Sequence, residues 1–270
     1  STTSIREIVK DYKDTIPQIV VLGAKGSGKT YIYKQLAEKK TWEDFVCLVD
    51  KHAEKSSQET LIVPLLSTVS VRYINKIVQG CIQYTSDVLK DTDMGFHTVH
   101  ENYDMLVELL QKGVQPAEWG KIWQRLMAQM IKGNFTNLEE LDGYLEEKKK
   151  KIVFLVDGLE DLYTDIQDKA QESWKDAVRS LCRNVINILR NLKFGNIGII
   201  IFARKDMVEE TIGMNFEQFK NQYSRYELKW TPTEALRLAL WIASQANAAF
   251  GKNIDILNDI HENHREEYQG

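Results

Sequence analysis

Gln18-Ile19-Val20-Val21-Leu22-Gly23-Ala24-Lys25-Gly26-Ser27-Gly28-Lys29-Thr30 decides the reading of this chain. Its first half is an apolar run without polar alternation, the mark of a strand buried on both faces. Its second half satisfies G-x-x-x-x-G-K-[ST] at every fixed position. Such a match arises by chance in on the order of 1% of chains this long, so the pattern is informative. The residue types have physical reasons. Gly23, Gly26 and Gly28 let backbone N–H groups converge on an anion without side-chain obstruction. The helix expected from about residue 29 to 40 points its positive end at the same place. Lys29 is placed to reach the β- and γ-phosphates of a nucleotide, and Thr30 to put its hydroxyl on Mg²⁺. Residues Gly23, Ala24, Lys25, Gly26, Ser27, Gly28, Lys29 and Thr30 are therefore the candidate phosphate-binding set.

Working outward, residues 4–13 read as a short polar helix. Phe45-Val46-Cys47-Leu48-Val49 and Leu61-Ile62-Val63-Pro64-Leu65-Leu66 are two further strand candidates. Pro64 cannot donate to a ladder, which sends the second to a sheet edge or ends it early. Across residues 69–146 apolar residues recur at helical spacing (Val71, Ile74, Ile77, Val78, Cys81; Leu106, Leu109, Leu110; Ile122, Leu126, Met130), giving three to four helices. Ile152-Val153-Phe154-Leu155-Val156-Asp157 is the strongest strand. A long amphipathic helix covers about 168–192, with Trp174, Val178, Leu181, Val185, Ile188 and Leu192 on one stripe. Residues 197–203 form another buried strand and 226–230 a short last one. Thr231 then suits an N-cap and Pro232 a first turn. Buried strands alternating with helices predict a three-layer α/β fold around a parallel five-stranded sheet. It carries a helical insertion at about 69–146 within a domain of 1–230, and a partial helical lid over 231–270.

Asp157 ends the run 152–156, the end of a parallel strand where ligands bind in open α/β sheets. It is the natural Mg²⁺ partner of Thr30, through water. Glu160 and Asp161 follow on the turn, and one of them can polarise an attacking water. Both also suit the positive end of a short helix, and the two readings are compatible.

Asp157-Gly158-Leu159-Glu160-Asp161 resembles the extended acidic-strand motif of NACHT ATPases: an aspartate, a small residue, an apolar residue and two acidic residues. These belong to the STAND class of signal-transducing P-loop ATPases, in the AAA-like branch. The strand 199–203 with Arg204 is similar to the one that ends in that class's sensor arginine, and residues 226–241 resemble the start of its lid. The resemblance implies ATP and Mg²⁺ as ligands and strand order 5-1-4-3-2. It implies contact of Arg204 with the γ-phosphate or the acidic cluster; a plain surface cation is the alternative. It further implies a nucleotide-driven switch in a larger cytoplasmic signalling or defence protein, with a protein partner or self-association in the ATP-bound state. The segment before Asp157 is longer than that class carries, and no glycine-x-proline signature follows 231. KAP-type and other prokaryotic P-loop ATPases are the family alternatives.

The 270 residues carry 35 basic and 39 acidic side chains, a net charge of −4, with 43% hydrophobic and 27% charged residues. That is ordinary globular composition and no electrostatic footprint for nucleic acid, which disfavours a DNA motor or clamp loader. A P-loop kinase for a small molecule is the other rival, without a readable acceptor pocket. Cys47, Cys81 and Cys182 have no metal or disulfide spacing and read as reduced structural thiols. No apolar run approaches 18 residues, and no signal-peptide pattern opens the chain. Starting at Ser1 and stopping in a charged stretch, the sequence reads as a domain cut from a longer protein. Ala203-Arg204-Lys205-Asp206 lacks the Asn or Thr of the guanine motif. His261 and His264 are three apart, not four, so they are no zinc-protease pair. Trp119 and Trp123 stand one helical turn apart and serve either the insertion's core or a partner surface.

Overall fold

Four apolar runs form one parallel sheet in the computed structural model, which describes residues 3–53, 58–68, 72–90, 98–166 and 170–230, with 232 and 236. The strands are β1 (Gln18–Gly23), β2 (Thr60–Leu66), β3 (Lys151–Val156) and β4 (Ile197–Arg204). Their order is β1-β4-β3-β2. Each is buried at every position except Gln18, Lys151 and Arg204 at the ends, so both faces of the sheet are covered. A fully buried Val, Leu or Ile contributes roughly 1.5–3 kcal/mol relative to exposure, which makes this sheet the heart of the core. The ladders set Gly23 opposite Arg204 and Leu66 opposite Val156. All four carboxyl ends therefore meet at one edge.

The expected fifth strand at 226–230 is not formed. Leu228 makes a single parallel bridge to Gly23, its N–H donating to Leu22 O at 2.7 Å. Residues before it are consumed by a 3₁₀ turn at Ser224–Tyr226, and Lys229 and Trp230 are exposed, so no second ladder position exists. Among the described residues the sheet has four strands.

The strand expected at 45–49 is also absent: α3 (Trp42–Val49) is a helix. Thr41 caps it, accepting from the Asp44 N–H at 3.2 Å. Glu43 and Asp44 favour the first turn, and Trp42, Phe45 and Val46 face the core. The period of three to four won over the β-branched content. Among the described strands β2 neighbours only β3, and its register shifts between Pro64 and Leu66, as a proline-bearing edge strand should.

α1 (Thr3–Tyr12) buries Ile5, Ile8 and Val9, so it is amphipathic rather than polar. α2 (Lys29–Lys39) follows β1. Between β2 and β3 lie α4 (Arg72–Leu89), α5 (Val99–Lys112), α6 (Trp119–Ile131) and α7 (Leu138–Lys148). Trp119 and Trp123 are buried in this insertion, and Trp123 donates to Ala177 O at 2.9 Å. They pack the core and are not a partner surface.

After β3 comes α8 (Leu159–Asp165) and then α9 (Gln171–Arg179), continued by a π turn at Ser180–Val185 and α10 (Ile186–Arg190). The π turn adds a residue to the repeat, so the buried stripe of Trp174, Val178, Leu181 and Val185 passes to Ile186 and Leu189, while Ile188 and Leu192 are only half-buried. α11 (Lys205–Ile212) and α12 (Phe216–Tyr223) follow β4.

The chain divides into a unit of Thr3–Leu228 and a second of Lys229–Gly270. In the second unit Pro232 and Leu236 are helical. The remaining lid positions, with Thr231, His261 and His264, lie outside the described residues. Among the described residues no helix is long and apolar enough to cross a membrane.

Candidate functional site

The loop from Gly23 to Thr30 leaves β1 at the sheet's carboxyl edge and turns into α2. Gly26 and Gly28 hold φ of 78° and 95°, a left-handed backbone that only glycine adopts freely. A Cβ at Gly23 would stand 2.2 Å from Ser27 Oγ, so the loop closes tightly on itself there. Ala24, Lys25 and Gly26 are exposed at its crest, and Ser27 and Gly28 half-buried. Lys29 is buried, and its ammonium donates to Gly23 O at 3.2 Å and Ala24 O at 3.0 Å. The lysine thus folds back under its own loop. Burial lowers its pKa, against the attraction of Glu160 and Asp157.

The two predicted metal groups meet. Thr30 Oγ1 donates to Asp157 Oδ2 at 2.8 Å, joining positions 127 residues apart. Asp157 is 1% exposed. Burial raises its pKa to about 6, opposed chiefly by the Thr30 hydrogen bond. A buried carboxylate so close to neutrality is the kind of group that gathers at functional sites.

Glu160 and Asp161 lie in the first turn of α8, where their surroundings differ. Asp161 is engaged: Thr68 Oγ1 donates to its Oδ2 at 2.5 Å. Glu160 keeps a buried Oε2 without a hydrogen-bond partner among the described residues, and its charge acts on Lys29, Asp157 and Arg204. Ser27 Oγ is a second buried oxygen without a partner beside the loop. Arg204 ends β4 next to Gly23, but its guanidinium binds the Asp206 carboxylate through Nε and Nη2. It is not hydrogen-bonded to the acidic turn. That bond raises the Arg204 pKa and lowers that of Asp206.

Thr68 and Ser67 escape the sequence reading. They follow β2 as Asp157 follows β3, so their position past the end of an apolar run was the available signal. Gly158 explains the contact. It holds φ 84°, and a Cβ there would lie 2.8 Å from the Thr68 Cα and N.

Among the described residues no three His, Cys, Asp or Glu side chains are grouped to hold a metal. Thr30 and Asp157 fit the sparser need of Mg²⁺, which takes one or two protein groups and completes its shell with water and phosphate. The orphan oxygens of Ser27 and Glu160 suit a polar ligand between loop and turn. No protein-family model, curated protein or solved structure matches the chain.

Proposed function

We propose that the chain binds Mg·ATP on residues 23–30 and hydrolyses it slowly, with the nucleotide state acting as a conformational switch in a larger signalling or defence protein. The reading takes the fold as a three-layer P-loop nucleoside triphosphatase similar to the STAND and NACHT ATPases. One observation carries it. The Thr30–Asp157 hydrogen bond at 2.8 Å brings together two residues, 127 apart in sequence, that the sequence reading assigned to one metal ion.

The residues have separable tasks. Lys29, now satisfied by two carbonyls, exchanges them for phosphate oxygens, a stronger charge-assisted contact. The N–H groups at the start of α2 add fixed dipoles to the same anion. Thr30 and Asp157 would hold Mg²⁺, which would supply positive charge against the nucleotide's phosphates. Glu160, with a free carboxylate oxygen, orients water and takes its proton. Asp161 holds the turn in place through Thr68. Arg204 leaves Asp206 to meet the γ-phosphate or Glu160. ADP and inorganic phosphate are the products.

Lys29→Ala tests the reading. It removes the ammonium buried beneath the loop, and tight Mg·ATP binding should be abolished in isothermal calorimetry. Equal affinity in variant and parent would refute it.

A further inference from the structure

The helical insertion carries no residue of the proposed site, yet two of its side chains grip that site's framework. α5 is a firmly terminated helix. Thr98 and Glu101 close a capping box at its start, and Gly113 ends it with a left-handed turn. Two consecutive residues of α5 make contacts of long sequence range. Asn102, wholly buried, donates to Leu65 O in β2 at 3.1 Å. Tyr103, also buried, donates to Asp165 Oδ2 at 2.6 Å.

Asp165 is the last residue of α8, and α8 carries Glu160 and Asp161 at its start. Seven residues span only about 10 Å, under two turns, too short to hold an orientation unaided. Its direction is set from outside. At its start Asp161 accepts from Thr68, just past β2. Also at its start, Trp174 of α9 donates to Leu159 O at 3.0 Å. At its end Tyr103 holds Asp165. The bonds α5–β2, β2–α8 and α8–α5 close a circuit around the helix, and the one acidic side chain of its first turn outside that circuit is Glu160.

We infer that Tyr103 is a positioning residue for Glu160, through which the helical insertion sets the aim of the water-orienting carboxylate. The inference rests on the proposed hydrolysis. A rotation of α8 about its own axis swings the Glu160 carboxylate, which stands off that axis, while Lys29, Thr30 and Asp157 lie outside the helix and stay in place. Rate is therefore lost while nucleotide affinity is kept, and sub-ångström misplacement of a reacting group is costly. Burial, then the Asp165 bond, push the Tyr103 hydroxyl far above its ordinary pKa, so it remains a donor throughout the working range.

The test uses the 270-residue chain with Tyr103→Phe, Asp165→Ala, Asp165→Asn, Glu160→Gln and the double variant Tyr103→Phe/Glu160→Gln. Phosphate release, KM for Mg·ATP and thermal unfolding are measured on each. Tyr103→Phe and Asp165→Ala should each lower kcat about 10-fold with KM unchanged within about twofold. Asp165→Asn keeps an acceptor oxygen and should stay near the parent. In the Glu160→Gln background Tyr103→Phe should cost nothing further, because residues acting as a unit are not additive.

Parent kcat in Tyr103→Phe, or an undiminished further loss in the double variant, overturns the inference while leaving the hydrolysis reading intact. A loss shared equally by kcat, affinity and melting temperature marks a merely structural tyrosine and overturns it too. If Glu160→Gln itself turns over like the parent, the catalytic reading has failed and the inference falls with it.

Discussion

Asp157 is the residue on which most of the proposed chemistry converges, and its environment makes it titrate where it can be watched. Burial raises its pKa to about 6, above the value of about 3.9 in an unfolded chain. Between those two values the native state binds more protons than the unfolded one, so this group's contribution to stability falls as pH rises through the window. Below about 4 both states are protonated and the contribution is full. Above about 6 the native chain carries the whole cost of a buried charge. A cation on Thr30 and Asp157 reverses the preference, because it needs the carboxylate. Without ligands, urea unfolding should therefore show the parent losing stability relative to Asp157→Asn between pH 4 and 6. Mg·ATP affinity, taken as the ratio of parent to Asp157→Asn, should rise across the same interval. A ratio flat from pH 4 to 6 would remove Asp157 from the metal site.

At the scale of elements, the turn from β3 into α8 is the most constrained joint described. Gly158 has a left-handed backbone, and any Cβ there would press on main-chain atoms of Ser67 and Thr68 at 2.8–3.0 Å. Neither strand end can yield cheaply, since Asp157 N–H donates to Leu66 O within the ladder. Gly158→Ala combines αL strain with a backbone clash and should destabilise by about 2–4 kcal/mol in urea titrations; a loss under about 0.5 kcal/mol would show that the turn relaxes freely. The same joint explains what was readable in advance. β1, β3 and β4 are short apolar runs ending in glycine or a charged group, and that local pattern suffices for a buried parallel strand. The loop and Asp157 follow from it. Thr68 was hidden because its role depends on the pairing of β2 with β3, a contact between residues some 90 apart. α3 was misread because five apolar residues in a row look like a strand unless the Thr41 cap and the acidic first turn are weighed. The π turn leaves no local mark at all: it appears only when the buried stripe slips phase after Val185.

For the whole molecule, the switch reading makes a statement about assembly. On that proposal the nucleotide, rather than the fold alone, licenses self-association. The chain should remain monomeric without nucleotide and associate, if at all, with a non-hydrolysable ATP analogue and Mg²⁺, as read by light scattering at micromolar concentration. A stable ring without nucleotide would replace the switch by a constitutive motor. The outer margin of β2 bears on how such association could proceed. Ile62 N–H donates to Lys40 O at 2.8 Å, Ile62 O accepts from Cys81 and Thr85, and Thr41 bridges Leu61 in antiparallel fashion. Pro64 has no N–H to offer. A strand edge so occupied is no template for cross-β growth. A foreign strand would first have to strip away the chain's own carbonyl at Lys40, so the sheet is closed on this side to amyloid-like extension, and copies of the molecule gain no backbone pairing along β2.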